Sequence, residues 1–548
     1  MAADMAMPAT PHAAIEVDQR ARFEILGAIL LSMFLGALDQ TIVGPVLPRI
    51  STELNGSDLY VWVVTSYLVT STAAIPIYGK LSDYLGRKPM LVIGIVLFLI
   101  GSVLSGLSQT MWQLIAFRGL QGLGAGSLFP ISLAVIGDLF TPAERGKYQG
   151  LFGAVFGVAF LVGPFLGGFL TDNLSWHWIF FVNLPVGAVS LYLIYHLLPM
   201  VRPKDAKLSL DLVGVATFLG AVVPVLIALT LAETNSWTDS SVLTWFGVGL
   251  VFLVLFIIAE ARASDPMIPL DLFKNRTFSV AVVATFFAVF GFSILIIFLP
   301  LWFQIVKGES TTASGYLLFP FLVGLIFSSI VAGQVVSRTG RYKALLAGAM
   351  LVMAFGLFLF TNLRGDTPLP AMWLWMLIAG LGVGPTMAIF TLIVQNDVPF
   401  ARLGTATSDL TLMRQIGTSV GLTMAFTLFR NNLTLDSIKS HMLAAGVPPT
   451  ILQHLPAVDP NQLTAVGGDS ISQEFAKAGS AAPMVAAGFF DAFSQAIADS
   501  VPLGVAAALV SFVVVLGLKE KPLRAHFHAE QAARSGVRTV PTPAVESE

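Results

Sequence analysis

The chain has 548 residues, 55% of them apolar and 11% charged, with a mean hydropathy of +0.81. A soluble domain carries about 25% charged residues, so a soluble protein is excluded and an all-α polytopic membrane protein is expected. There is no cysteine, which excludes disulfides and thiolate metal sites, and a net charge of −2 points to no nucleic-acid partner.

Residues 1–23 are polar and end near Arg20 and Arg22. The apolar stretch behind them is too long for a signal h-region, so they read as a cytoplasmic tail. A span needs about 20 apolar residues. Fourteen follow: 25–47, 60–80, 90–108, 112–136, 147–171, 177–199, 211–232, 241–259, 279–304, 314–336, 342–361, 371–393, 403–429 and 493–518. Residues 431–490 form a long polar connection, expected outside the membrane with some helix of its own. Residues 521–548 form a second tail.

Cytoplasmic loops carry the excess of Lys and Arg. With the N-terminus inside, 22 of the 30 basic residues fall on inner segments and six on outer ones, while Arg118 and Arg414 lie within spans. A missed helix would invert every later loop. Both termini are therefore expected to be cytoplasmic.

The chain repeats itself weakly. Gly79-Lys-Leu-Ser-Asp83-Tyr-Leu-Gly86-Arg87-Lys88 follows span two, and Gly333-Gln-Val-Val-Ser337-Arg-Thr-Gly340-Arg341 follows span ten. Gly122-Leu-Gly-Ala-Gly126 and Gly380-Leu-Gly-Val-Gly384 lie in spans four and twelve. Both pairs are offset by eight spans. Six helices (24–200), an inserted pair (201–276) and six more (277–520) satisfy that offset. Parallel halves around a midplane site are a transporter plan.

Asp39 lies deep in span one. A carboxylate near the centre of a membrane helix costs about 2.5–3.5 kcal/mol on insertion scales, and such residues normally face a polar pathway. Burial disfavours its charge and a nearby cation favours it, so a site balanced between the two can take up and release a proton. The plainer alternative is a hydrogen-bonding clamp between helices. Arg118 stays charged at any relevant pH, and Gln121 shares its helix face. Trp62, Tyr67 and Phe129 are candidate walls for apolar or cationic ligands. Arg414 meets either substrate or a polar cluster. The histidines show no metal spacing, no nucleotide cradle appears, and no catalytic cluster marks an enzyme.

At these residues the chain resembles the major facilitator superfamily, and within it the fourteen-helix drug:proton antiporters. Leu38-Asp39-Gln40-Thr41-Ile42-Val43 with Leu47-Pro48 is similar to that subfamily's first-helix motif. Gly79 through Lys88 resembles the superfamily's loop motif, and Leu114 through Gly122 its fourth-helix motif. Gly163-Pro164-Phe-Leu-Gly167-Gly168 resembles the antiporter motif of helix five. Trp176-His-Trp178-Ile-Phe180-Phe-Val-Asn183-Leu-Pro185 resembles the approach to helix six. Gly44-Pro45-Val46, Ala159 and His177 depart from the usual patterns.

The resemblance implies a 6+2+6 fold and proton-coupled export of amphipathic or lipophilic small molecules by alternating access. Asp39 and Arg118 would handle the proton, with no other cofactor. Gly79, Asp83, Gly86 and Arg87 would latch the outward-facing state, and Gly163, Pro164, Gly167 and Gly168 would form the antiporter bend. A bacterial plasma membrane and a functional monomer are expected. Export of lipids or native metabolites, and proton-coupled import or facilitated passage, stay open as alternatives.

Overall fold

A computed structural model describes residues 18–56, 59–201, 211–452, 475 and 481–523. The linker at 202–210, most of the connection between 453 and 480, and the outer parts of both expected tails fall outside the described residues. Among the described residues the regular structure is helical.

The first six spans are built from α1 (Gln19–Val43) with its continuation α2 (Leu47–Glu53), α3 (Tyr60–Leu85), α4 (Arg87–Gly106), α5 (Met111–Leu139), α6 (Pro142–Asn173), and the broken pair α7 (Trp178–Phe181) and α8 (Asn183–Leu197). The inserted pair is α9 (Leu212–Thr234) and α10 (Ser240–Arg262). The last six comprise α11 (Arg276–Val306), α12 (Thr311–Leu317) leading into α13 (Phe319–Thr339), α14 (Lys343–Leu359), α15 (Leu369–Asp397), α16 (Leu403–Asn432) and α19 (Ala482–Leu516). Between the last two lie α17 (Leu435–Ala444) and α18 (Pro449–Leu452).

Thirteen helical segments among the described residues are long and apolar enough to cross a membrane. The fourteenth, α16, is 30 residues long but rich in Ser and Thr, and it buries that polar face against its neighbours. The expected first span is interrupted. Gly44-Pro45-Val46 forms a 3-10 turn that offsets α2 from α1, as expected where proline removes a backbone donor. The last span starts eleven residues before the expected 493. Its first turns pack on α17, with Gly488 against Met442.

Local chemistry sets many helix ends. Asp18, Thr110, Asn275, Ser310 and Thr434 each accept from a backbone N–H of the first turn, which satisfies one of the orphan donors there. Thr141 and Glu144 form a capping box on α6. Gly86 separates α3 from α4 at φ +94°, a backbone conformation open to glycine and strained for other residues.

The internal repeat reappears as packing. Gly122 and Gly126 press α5 onto the α3 backbone, while Gly124 presses it onto α4 at Phe98. Gly380 and Gly384 press α15 onto α13, while Gly382 presses it onto α14 at Met353. The outer glycines of each motif face one neighbour and the middle glycine faces another. Small residues at these positions let membrane helices approach closely.

One large apolar cluster joins α11 and α13–α19, and two others fill the bundle of α1–α8. Of the inserted pair, α9 lies against both sets. Thr230 of α9 accepts from Thr65 of α3 (3.3 Å), and Trp237, just beyond α9, donates to Thr427 of α16 (2.8 Å). By contrast α10 exposes Leu250, Val251, Val254, Leu255 and Ile257, the profile of a lipid-facing helix.

Candidate functional site

Asp39 lies one turn before the end of α1 and is fully buried. Its carboxylate accepts three hydrogen bonds. Arg118 Nη1 of α5 donates to Oδ2 (2.7 Å), while Gln121 Nε2 (2.8 Å) and Asn183 Nδ2 of α8 (2.9 Å) donate to Oδ1. Arg118 Nη1 also donates to Gln121 Oε1 (2.8 Å), as their three-residue spacing on one helix allows. Ser102 of α4 accepts from both Gln121 (3.2 Å) and Asn183 (3.0 Å) and donates to the Phe180 carbonyl (2.9 Å). Gly101 makes this possible, because a side chain there would meet the Gln121 backbone. The Tyr67 ring of α3 covers the guanidinium, 4.1 Å from Cζ.

Five helices thus converge on one ion pair. A buried pair is stable only where further hydrogen bonds satisfy its remaining groups, and Gln121 and Asn183 supply them. The satisfaction is incomplete: Asn183 Oδ1 and Arg118 Nε are buried without partners. A proton on Asp39 would convert one acceptor oxygen into a donor. Either amide, Asn183 or Gln121, offers an oxygen to accept it after turning.

The turn between α3 and α4 forms a second polar cluster. Asp83 accepts from Arg87 Nη1 (2.6 Å), from the backbone N–H of Gly404 (2.9 Å) and Thr405 (2.8 Å), and from the Thr405 hydroxyl (2.7 Å). Its carboxylate therefore sits at the N-terminus of α16, where orphan donors and the helix dipole favour negative charge. Arg87 also donates to Ser82 (2.7 Å) and, through Nε, to Asp138 of α5 (3.0 Å). Gly79 gives α3 room to pass Ser408, and Gly86 gives the turn room beside the Val201 carbonyl.

A third cluster closes the same end of the bundle. Arg145 of α6 donates to the carbonyls of Phe140 (2.9 Å), Gly137 and Gln395 (3.2 Å). Gln149 donates to Gln395 Oε1 (2.7 Å), whose amide donates to the Leu133 carbonyl (3.0 Å) and to Thr407 (3.1 Å). Gly146 and Gly333 bring the α6 and α13 backbones together beside it. Ser337, at the repeat position of Asp83, has a buried hydroxyl without a hydrogen-bond partner. The two repeats thus carry different chemistry at one position.

Gly163, Pro164, Gly167 and Gly168 lie on α6, which is continuous through the proline. Gly163 abuts Thr41, and Gly167 abuts the Ile42 carbonyl of α1. Thr41 donates to the Ala159 carbonyl (2.9 Å). Pro164 faces Gly315, and Gly168 faces Thr312, both on α12. This stretch of α6 therefore touches both six-helix sets.

Phe129 stacks on Phe156 with centroids 5.0 Å apart. Arg414 of α16 lies nearby, over Phe152 (5.6 Å). Trp62 is half-buried on α3 and takes no part in the Asp39 network. At the opposite end, Trp176 donates to Glu53 (2.8 Å) and stacks on His177. Burial lowers the pKa of His177, against the pull of Glu53.

Several participants carry no sequence signal of their role here. Asn183 lay within a recognised motif, but nothing marked its amide as an Asp39 donor. Ser102, Asp138, Arg145, Gln149 and Gln395 carried no pattern at all. Asp409 carried the same signal as Asp39, a carboxylate within a span. It is buried on α16 with neither oxygen hydrogen-bonded.

The family model described as Major Facilitator Superfamily matches residues 29–422. The chain belongs to that superfamily. It is 39% identical over 410 residues to "Multidrug transporter protein MdtP" of Bacillus subtilis (strain 168), covering 75% of each chain. It is 37% identical to "Multidrug resistance protein 3" of the same organism, covering 75% of this chain and 80% of that one. It is 33% identical to "Efflux pump dotC" of Dothistroma septosporum (strain NZE10 / CBS 128990), covering 77% and 75%. Among solved structures, the human organic anion transporter MFSD10 superposes with a TM-score of 0.60 at 16% identity, over 90% of this chain and 99% of that one. The proton:xylose symporter XylE superposes with a TM-score of 0.57 at 16% identity, over 92% and 98%. These two likenesses establish the fold, and the protein is a multi-pass membrane protein of this superfamily.

Proposed function

We propose that the protein is a proton-coupled exporter of amphipathic or lipophilic small molecules, a multidrug-type antiporter working by alternating access as a monomer in a bacterial plasma membrane. The observation that carries the reading is the buried Asp39–Arg118 pair with its Gln121 and Asn183 donors. The multidrug and efflux names of the relatives support the direction of transport.

In this reading the end of the bundle carrying Arg87 and Arg145 is cytoplasmic. The Asp83 cluster and the Arg145–Gln395 cluster hold it closed while the opposite side opens. A proton from outside then neutralises Asp39, weakens its attraction for Arg118, and frees Gln121 and Asn183 to turn. Substrate leaves. Re-opening to the inside breaks the cytoplasmic clusters and releases the proton to the cytoplasm. Each ligand does work only through unequal affinity for the two states. The two cytoplasmic clusters supply the energetic difference between those states, and Asp39 supplies the response to protonation.

One proton moving inward yields roughly 2.3 kcal/mol per 100 mV and about 1.4 kcal/mol per pH unit. With both gradients present, one such site can sustain a neutral-substrate gradient of several hundredfold.

The direct test is transport by purified protein in proteoliposomes carrying a luminal pH dye. Substrate movement coupled to opposite proton movement is expected. Movement of proton and substrate in the same direction would overturn the antiport reading in favour of import.

A further inference from the structure

The junction between the two six-helix sets holds a second buried guanidinium, and its surroundings differ from those of Arg118. Arg414 reaches from α16 to α15, where Nη2 donates to the Met387 carbonyl (3.0 Å) and the Thr391 hydroxyl (2.9 Å). Its Nε and Nη1 are buried with no hydrogen-bond partner. The side chain is 8% exposed, and among the described residues no carboxylate pairs with it.

Aromatic and apolar side chains stand beside it. Phe152 of α6 presents its ring to the guanidinium at 5.6 Å. Phe156 packs edge-on to Phe152 (4.9 Å) and stacks on Phe129 of α5 (5.0 Å). Met387 packs against the apolar clusters of both six-helix sets. Arg414 therefore stands where the sets meet, with aromatic faces from one set opposite a cation from the other.

A guanidinium remains charged in such a place. Left unpaired it is costly, because neither the ring face nor two neutral acceptors replaces a counter-ion. Arg118 meets this requirement with Asp39; Arg414 has no such residue. A substrate that supplies a carboxylate meets it from outside the chain. One cation matches one negative charge, and the three phenylalanines match an aromatic or otherwise apolar body.

We infer that Arg414 is a substrate-binding residue, and that the protein prefers substrates carrying a single carboxylate on an apolar aromatic body over neutral or cationic analogues. This inference rests on the exporter reading above. At Phe129, expected to wall an apolar or cationic ligand, it selects an apolar body that carries an anion. It also fits a single proton site, since one proton entering and one monovalent anion leaving move two charges in the driven direction.

The test is equilibrium binding to purified full-length protein in uncharged detergent near neutral pH. Energy transfer from tryptophan reports binding of three probes: pyrenebutyrate, its primary amide, and pyrenebutyl-trimethylammonium. Wild-type protein is expected to bind the carboxylate at least about tenfold tighter than the ammonium, the scale of one charge-assisted hydrogen bond. Arg414→Gln should lose that margin while keeping the amide affinity within about threefold, and Arg414→Lys should keep the order of preference with a smaller margin. Equal or tighter ammonium binding in wild type would overturn the inference and needs no variant. So would absence of binding by all three probes, or an equal change for all three in Arg414→Gln. Because the readout uses no ion gradient, loss of proton-driven transport would count against the exporter reading and leave this selectivity result standing.

Discussion

Thr405, at the start of α16, donates both its backbone N–H (2.8 Å) and its hydroxyl (2.7 Å) to Asp83, at the end of α3. A carboxylate of one helix set thereby caps a helix of the other. The contact spends two donors and a helix terminus, so its loss biases the whole rearrangement. Asp83→Asn keeps an acceptor but removes the charge. Charge-assisted bonds of this kind are worth about 1.5–3 kcal/mol, so the closed-to-open ratio at this end should fall by about tenfold or more. The chain has no cysteine, so a single cysteine introduced on α16 beside Gly404 reports the change as faster labelling from the Arg87 side. Unchanged labelling would remove Asp83 from the closing contact.

Arg87 neutralises two buried acids, Asp83 and Asp138. Removing one partner of a buried pair costs about 3–5 kcal/mol, because the other charge is left uncompensated. Arg87→Ala should therefore lower thermal stability markedly. The double change Arg87→Ala with Asp138→Asn should recover part of the loss, since Asp138 is then neutral and Asp83 keeps its donors from Gly404 and Thr405. Thermal unfolding of single and double variants in detergent checks this; strictly additive losses would contradict it.

Gly333 meets the Gly146 carbonyl with no room for a side chain. Gly333→Val forces a Cβ against the Gly146 backbone carbonyl, which has no rotamer by which to yield. Transport should fall sharply, and spin labels on α6 and α13 should show the two helices further apart at this end. Wild-type distances together with wild-type transport would contradict the account of this contact.

Much of the fold was legible because membrane helices are written in long apolar runs and basic loops. The repeat was legible too: the glycine motifs at 122–126 and 380–384 pack alike, each middle glycine facing a different helix from its neighbours. Asp39, Arg118 and Gln121 stood out because polar groups are costly at that depth. Asn183 and Ser102 did not, since neutral polar residues are common in membrane helices and only geometry brings α4 and α8 to Asp39. The clusters around Arg145 and Gln395 are separated by 250 residues, a pairing no local pattern encodes. The helix α19 begins before the expected 493 because its apolar run continues N-terminally past Asp491 through Ala482-Pro-Met-Val, where its first turns pack on α17.

Asn183 and Gln121 donate to the same oxygen of Asp39. Asn183→Ala should remove one donor, leave one buried acceptor demand unmet, and reduce the transport rate more than substrate binding. Measuring both in the same preparation checks the split. A rate equal to wild type would show that the amide is not needed for the proton step.

The most direct measurement compares wild-type protein with Asp39→Asn in proteoliposomes, recording uphill transport driven by an imposed pH gradient alongside gradient-free substrate exchange. Asn preserves the shape and an acceptor for Arg118 but cannot cycle a proton. Loss of gradient-driven accumulation, with exchange retained, is predicted. Full gradient-driven accumulation by Asp39→Asn would contradict the assignment of Asp39 as the proton site.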